Sequence, residues 1–112
     1  LLNLPVTNLG AKTGWLAFPL TIKENKKFTR TDMQIFFEKN NIQTRTIFTG
    51  NILRQPAMKY LKYKSKKDSS IISNKVMKNG ILLGCHHGMS IDQLKYIKNT
   101  FIKFLKYKNI KL

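Results

Sequence analysis

The 112-residue sequence has a single cysteine, three prolines and only five acidic residues. One cysteine cannot form a disulfide within the chain, and such low usage is typical of proteins in reducing compartments. No apolar run approaches the roughly 20 residues that span a bilayer, and no secretion signal opens the sequence. These absences predict a cytoplasmic protein that does not enter a membrane. The first residue is Leu1 rather than methionine, so we expect the sequence to start inside a longer reading frame.

Arginine is also scarce, because 18 of the 21 basic residues are lysine while the formal net charge is +16. A charge this large is typical of a free-standing module that binds nucleic acid or an anionic membrane. The alternative explanation of this charge is a compositional bias of the source, since asparagine and isoleucine are abundant as well. Recognition of bases and phosphates favours the planar guanidinium of arginine over lysine. We therefore prefer the compositional explanation and regard the three arginines as the positions to examine.

The periodicity of the sequence predicts one domain over residues 14–112, preceded by a connecting segment at residues 1–13. A hydrophobic content of 42% is sufficient for one small core. The alternation of elements predicts an α+β fold, with a small antiparallel or mixed sheet and helices packed on one face. The predicted strands lie at 14–22, 42–48 and 81–84, and the predicted helices at 30–39, 56–61, 70–78 and from 91 onward.

Local signals support several of these elements. Thr29 is the predicted N-cap of the first helix, and Asp32 lies in its first turn, where a carboxylate is favourable. Ser90 and Gln93 have the spacing of a capping box at the start of the last helix. Pro19 cannot donate to a strand ladder and predicts an edge or bulged strand. The buried stripe of the last helix is predicted to consist of Leu94, Ile97, Phe101, Phe104 and Leu105.

Two further segments are irregular or chemically distinctive. The lysine-rich segment 62–70 is predicted to be a mobile loop. The segment 42–57, IQTRTIFTGNILRQPA, combines a predicted strand, a glycine break and a helix start. This order places backbone N–H groups and side chains around one small space that can hold an anion.

Three residues of that segment are candidate substrate-binding residues. Arg45 on the predicted strand and Arg54 after the glycine break each carry a planar fork that matches two oxygens of a carboxylate or phosphate. Asn51 follows Gly50 directly and can line the same pocket. The alternatives are a surface arginine at position 45 and ordinary loop and cap chemistry at positions 51 and 54.

The run Cys85-His86-His87 resembles a metal or thiol site. Zinc needs three or four convergent ligands, and the sequence has no second Cys/His cluster. A Cys–His nucleophile pair is disfavoured because neighbouring side chains on a strand point apart. We predict no metal site and a structural role for Cys85. The two histidines follow a predicted buried strand and are candidates to face a shared active site.

Many of these stretches also resemble one known family. The sequence is similar to the C-terminal region of the DegT/DnrJ/EryC1/StrS sugar aminotransferases, and most similar to the branch of nucleotide-linked 4-keto-6-deoxyhexose 3-dehydrases of lipopolysaccharide biosynthesis. The resemblance covers nearly the whole chain from about residue 14. It is carried by Gly14-Trp15, Phe18-Pro19-Leu20, Phe28-Thr29-Arg30, Ile42-Gln43-Thr44-Arg45, Gly50-Asn51, Arg54-Gln55-Pro56-Ala57 and Gly84-Cys85-His86-His87-Gly88-Met89.

The resemblance implies that the chain is the small C-terminal domain of a much larger pyridoxal-phosphate enzyme of fold type I. Such an enzyme is a 3-dehydrase or an aminotransferase and acts on a nucleotide-linked keto-deoxysugar; the choice between these reactions stays open. The cofactor, its histidine or lysine partner, and any iron–sulfur cluster would belong to the remainder of a homodimeric protein. This chain would carry no catalytic residue and be inactive alone. Its substrate-binding residues would be Arg45, Asn51, Arg54, His86 and His87.

Overall fold

A computed structural model describes residues 1–65 and 70–111. The strands are β1 (Leu2–Asn3), β2 (Ala17–Ile22), β3 (Thr44–Thr46) and β4 (Gly80–Gly84). The helices are α1 (Arg30–Lys39), α2 (Ile71–Asn79) and α3 (Ile91–Tyr107), with two short 3-10 helices at Ile52–Arg54 and Pro56–Tyr60. Residues 66–69 of the lysine-rich segment lie outside the described residues. Within the described ranges, every helix is too short or too polar to cross a bilayer.

The four strands form one antiparallel sheet in the order β1-β2-β4-β3. Strand β4 pairs along its whole length with β2, and its other side pairs with the short strand β3. Thr44 lies opposite Leu83 and Thr46 lies opposite Ile81. The predicted α+β fold with an antiparallel sheet is therefore confirmed.

The core lies between one face of this sheet and helices α1 and α3. Alternate residues of a strand point to the same face, which places Leu20 and Ile22 of β2 beside Ile81 of β4. The ring centroids of Phe28 and Phe104 are 5.0 Å apart in an edge-on arrangement, a favourable geometry for buried aromatic rings. The buried apolar residues are Leu20, Ile22, Phe28, Met33, Phe37, Ile42, Ile81, Leu83, Phe104, Leu105 and Ile110.

Helix α1 begins and ends where the sequence predicts. The Thr29 hydroxyl accepts a hydrogen bond from the Asp32 N–H at 3.2 Å, and the Thr29 N–H donates to the Asp32 carboxylate at 2.7 Å. This reciprocal pair is a capping box. The Thr29 hydroxyl and the Lys108 ammonium also donate to that carboxylate. Hydrogen bonds from Thr29 and Lys108 lower the pKa of Asp32 from 3.8 to about 2.

Helix α3 has the predicted capping box, with Ser90 and Gln93 bonded reciprocally. The predicted stripe is wrong at Leu94, which is 49% exposed, whereas Thr100 is buried. Leu94 lies on the same side of the helix as Phe101 and Leu105. It lies, however, in the first part of the helix, where every residue before Ile97 is exposed.

Strand β2 is shorter than predicted, and residue 16 before it is exposed. The predicted connecting segment contains β1, which pairs Leu2 with Ile22 and Asn3 with Thr21. Strand β1 does not extend as far as Pro19, so among the described strands Pro19 pairs only with β4. This one-sided pairing is the edge environment that the proline predicts.

Candidate functional site

The chain leaves β3 through a tight turn with unusual backbone angles. Phe48 has φ of +43° and Gly50 has φ of +63°, and the Gly50 N–H donates to the Ile47 carbonyl at 3.0 Å. The left-handed region is unfavourable for a bulky residue by about 1–2 kcal/mol, and such strain is concentrated at functional sites. Phe48 is nonetheless 81% exposed. The turn therefore presents an aromatic ring to the outside at the end of the edge strand.

After this turn, three polar residues meet in what we name the Asn74 cluster, which consists of Asn51, Arg54 and Asn74. Asn51 Nδ2 donates to Asn74 Oδ1 at 2.8 Å, and Arg54 Nε donates to the same oxygen at 2.9 Å. Asn51 Oδ1 accepts from the Leu53 N–H at 3.0 Å and so caps the first 3-10 helix. Asn51 is 3% exposed. Two predicted site residues are thus brought together, and Asn51 has its amide engaged at both ends.

Arg54 keeps most of its hydrogen-bonding capacity in this arrangement. A guanidinium has five N–H groups, and only the one on Nε bonds to Asn74. In residues 1–65 and 70–111, no other acceptor is seen for this side chain, which is exposed. The planar outer edge of the group, with two terminal nitrogens, matches a pair of carboxylate or phosphate oxygens. Arg54 therefore has the geometry of an oxyanion-binding residue.

Arg45 occupies a different place. Thr44 faces helix α1, where its N–H and hydroxyl donate to Glu38 Oε1 at 2.6 and 2.9 Å. Side chains alternate along a strand, so Arg45 projects from the opposite face of the sheet, in the row that contains Leu82 and Pro19. Arg45 is exposed and, within the described ranges, makes no hydrogen bond with the Asn74 cluster.

The two histidines lie at the other end of the β3–β4 pair. Because these strands are antiparallel, the residues after β4 adjoin the start of β3, whereas the Asn74 cluster follows the end of β3. Both histidines are exposed, and His86 Nδ1 accepts from the Gly88 N–H at 3.1 Å. This bond leaves the proton of a neutral His86 on Nε2. His86 lines a cavity of about 390 Å³ together with Gln43, Gln93 and Tyr96.

Two residues next to the site were not identified as site residues from their sequence pattern. Arg30 Nη1 donates to the Met77 carbonyl at 2.6 Å, and its Nε is buried without a partner in the described parts of the chain. Asn74 links two predicted residues from the middle of α2. The one local signal for Asn74 is that asparagine is a poor helix former in a helix interior.

The candidate residues do not form a recognisable metal site. Across residues 1–65 and 70–111, no three side chains of His, Cys, Asp or Glu cluster together. Cys85 is half-buried at the end of β4. The chemistry available in the described residues is therefore anion binding by arginine and hydrogen bonding by amides and imidazoles.

Comparison with known proteins places these residues in a family context. The family model described as DegT/DnrJ/EryC1/StrS aminotransferase family matches residues 2–102. The lipopolysaccharide biosynthesis protein RfbH of Salmonella typhimurium is 28% identical over 103 residues, which cover 92% of this chain and 23% of that protein. The dTDP-4-dehydro-2,6-dideoxy-D-glucose 3-dehydratase of Saccharopolyspora spinosa is 31% identical over 104 residues, covering 93% and 22%. The chain thus spans less than a quarter of the length of these two relatives.

Solved structures contain the same fold. A GDP-4-keto-6-deoxymannose-3-dehydratase with a trapped PLP-glutamate geminal diamine aligns with a TM-score of 0.74 and 24% identity, covering 87% of this chain and 25% of that one. The E. coli GDP-4-keto-6-deoxy-D-mannose-3-dehydratase with bound hydrated PLP aligns with a TM-score of 0.75, the same identity and the same coverage. The α+β layer described above therefore matches a part of larger proteins.

Proposed function

The chain belongs to the DegT/DnrJ/EryC1/StrS aminotransferase family, and from this premise we propose that it is the C-terminal small domain of a pyridoxal-phosphate-dependent enzyme. The substrate is a nucleotide-linked keto-deoxysugar, and the reaction is 3-dehydration or transamination in the biosynthesis of lipopolysaccharide or O-antigen sugars. The observation that carries the proposal is the family match over residues 2–102. Relatives whose names state sugar 3-dehydration and lipopolysaccharide biosynthesis support it.

In this proposal the domain contributes substrate-binding residues. Arg54 binds an oxyanion of the nucleotide-linked sugar through its terminal N–H groups. Asn51 donates to the same Asn74 oxygen as Arg54 and so helps to hold that acceptor in place. Arg45 projects from the other face of the sheet and binds a separate oxyanion. His86 and His87 contact the substrate at the opposite end of the β3–β4 pair. Three strand residues extend about 10 Å, so these groups suit an extended ligand rather than a compact one.

The described residues do not fit the cofactor itself. When bound, pyridoxal phosphate supplies an electron sink, and it needs a lysine or its substitute, a partner for the pyridine nitrogen and a phosphate site. Asp32 bonds to Thr29 and Lys108, and Glu38 bonds to Thr44. These carboxylates stabilise helix and strand ends. We therefore propose that the cofactor binds in the remainder of the protein, together with any iron–sulfur cluster, for which one cysteine is insufficient.

The domain is further proposed to close over the cofactor cleft. Closure of a small domain on a substrate excludes water and completes the binding site. The intact protein is proposed to be a cytoplasmic homodimer. Analytical ultracentrifugation of the intact protein tests the dimer, and a monomer at micromolar concentration would contradict it.

The proposed function is tested by assaying the intact protein with pyridoxal phosphate and two probes, GDP-4-keto-6-deoxymannose and dTDP-4-keto-2,6-dideoxyglucose. Mass spectrometry distinguishes loss of the 3-hydroxyl group from gain of an amino group. We expect turnover of a nucleotide-linked ketosugar by the intact protein and none by residues 1–112 alone. Lack of turnover, combined with tight binding of duplex DNA that weakens steeply with salt, would favour a basic nucleic-acid-binding module instead.

A further inference from the structure

Helix α2 contacts the loop after β3 at two points. Asn74 and Met77 are three residues apart and therefore lie on one face of the helix. Met77 packs against Gly50, where a Cβ atom would lie 2.5 Å from the Met77 Cβ. Asn74 accepts the hydrogen bonds of Asn51 and Arg54. Helix α2 therefore positions the loop through Met77 and holds the guanidinium of Arg54 through Asn74.

The bond to Asn74 restricts the orientation of the Arg54 guanidinium. An exposed arginine samples many rotamers, and a hydrogen bond from Nε restricts this sampling. With Nε held at 2.9 Å from Asn74 Oδ1, the two terminal nitrogens, which make no hydrogen bond in the described residues, stay available to a ligand. Preorganisation of this kind improves ligand binding because less conformational freedom is lost on association.

The chemical character of Asn74 suits this role. Its carbonyl oxygen has two lone pairs and accepts from two donors at once. Because the amide is neutral, the positive charge of Arg54 remains available to a ligand. An apolar residue at this position would leave the buried Nδ2 of Asn51 without its acceptor, which is unfavourable. The Asn74 carbonyl oxygen therefore stabilises the loop through Asn51 and orients the side chain of Arg54.

We propose that Asn74 is a positioning residue, which acts through Arg54 to direct the guanidinium toward an oxyanion of the nucleotide-linked sugar. This inference rests on the proposed function and extends it to a residue that touches no substrate. It requires that Asn74 and Arg54 act as one unit.

The test is a double-mutant cycle in the intact protein. Asn74→Leu removes the acceptor while keeping the number of side-chain heavy atoms, and Asn74→Asp keeps the acceptor but adds a negative charge beside Arg54. Asn79→Leu makes the same change on α2, where the described contacts include no hydrogen bond from the Asn79 side chain, and serves as the control. Arg54→Ala and the Asn74→Leu/Arg54→Ala pair complete the cycle. If Asn74→Leu fails to fold in a thermal melt, Asn74→Ala replaces it.

We expect Asn74→Leu to raise KM about tenfold with kcat changed less than about threefold, because it removes binding made before the chemical step. Asn74→Asp should also raise KM, because its carboxylate neutralises the positive charge of Arg54. Asn79→Leu should stay within about threefold of the wild type. In the Arg54→Ala background, Asn74→Leu should add nothing, since residues that act through one another are not additive. Additive effects, or an unchanged KM in Asn74→Leu, would overturn the proposal.

Binding of GDP and dTDP to the same variants, measured by calorimetry, separates the two proposals. If the wild type turns over neither ketosugar, the proposed enzymatic function fails. A tenfold weaker affinity of Asn74→Leu for either diphosphate would still support Asn74 as the residue that directs Arg54. Equal affinities in wild type and variant, or no binding by the wild type, would refute that role.

Discussion

Gly50 packs against Met77 so closely that a Cβ atom on Gly50 would lie 2.5 Å from the Met77 Cβ and 2.7 Å from its Cα. The Cα and Cβ atoms of Met77 are fixed by the helix backbone, so no rotamer change of Met77 relieves the contact. The same glycine has a positive φ. Space and backbone conformation thus both require glycine where the loop crosses α2.

Gly50→Ala should therefore destabilise the domain and disturb the loop. Overpacking and a strained backbone each cost roughly 1–3 kcal/mol. We expect a lower melting temperature of the intact protein and weaker substrate binding. Gly14→Ala is the matched control, because nothing lies within 4 Å of a Cβ atom there. Equal melting temperatures of the two variants would contradict the packing described here.

Arg45→Lys should lower turnover or substrate affinity while the fold stays intact. Lysine keeps the charge but loses the planar fork, so an oxyanion contact should weaken by roughly 1.5–3 kcal/mol. Steady-state kinetics with the nucleotide-linked sugar, measured beside a thermal melt, decides the outcome. A solvated arginine would instead leave the kinetics unchanged and alter stability by at most about 0.5 kcal/mol.

Asp32 should make the stability of the domain depend on pH in the acid range. Its pKa is lowered from 3.8 to about 2 in the folded state, so the folded protein favours the charged form. The stabilisation is present above about pH 4 and is lost as the pH falls through about 2. We expect Asp32→Asn to lower stability by about 0.5–1 kcal/mol at neutral pH, the scale of a charge at a helix N-terminus.

Urea unfolding of the wild type and Asp32→Asn at a series of acid pH values measures this effect. The two stability curves should converge as the pH falls through about 2, where the wild-type carboxylate becomes protonated. Lys108→Met removes one of the donors and should weaken the pH dependence. Parallel curves over the whole range would show that Asp32 has no folded-state pKa shift.

The apolar stripe of α3 gives a matched pair of leucines. Leu105 is 1% exposed and Leu94 is 49% exposed. Leu105→Ala should cost about 2–5 kcal/mol because it opens a cavity in the core. Leu94→Ala should cost less than about 1 kcal/mol. Chemical unfolding checks both values, and similar losses would mean that the rest of the intact protein buries Leu94.

Local signals made the helices predictable. The start of α1 follows from Thr29 and Asp32, which interact within one turn, and the start of α3 follows from Ser90 and Gln93 in the same way. Strand β1 was missed because its two residues have no periodicity of their own. It exists through pairing with Ile22 and Thr21, about twenty residues later in the chain.

The candidate site was predictable only in part. Strand alternation separates Arg45 from Thr44 and Thr46, as the sequence pattern indicates, and the segment around Arg54 was identified from its glycine break. The role of Asn74 depends on a contact across 20 residues of sequence, between a 3-10 helix and α2. No local pattern encodes such a contact, since either partner alone is an ordinary polar residue.

The two outer strands of the sheet are both very short. Strand β1 has two residues and strand β3 has three, and β3 carries a charged Arg45 and is followed by the left-handed Phe48. Edge strands with few free backbone groups and a charged side chain are poor templates for intermolecular strand pairing. Although many large apolar side chains are exposed, the domain should therefore resist edge-to-edge polymerisation, and a concentrated solution should remain free of cross-β fibrils.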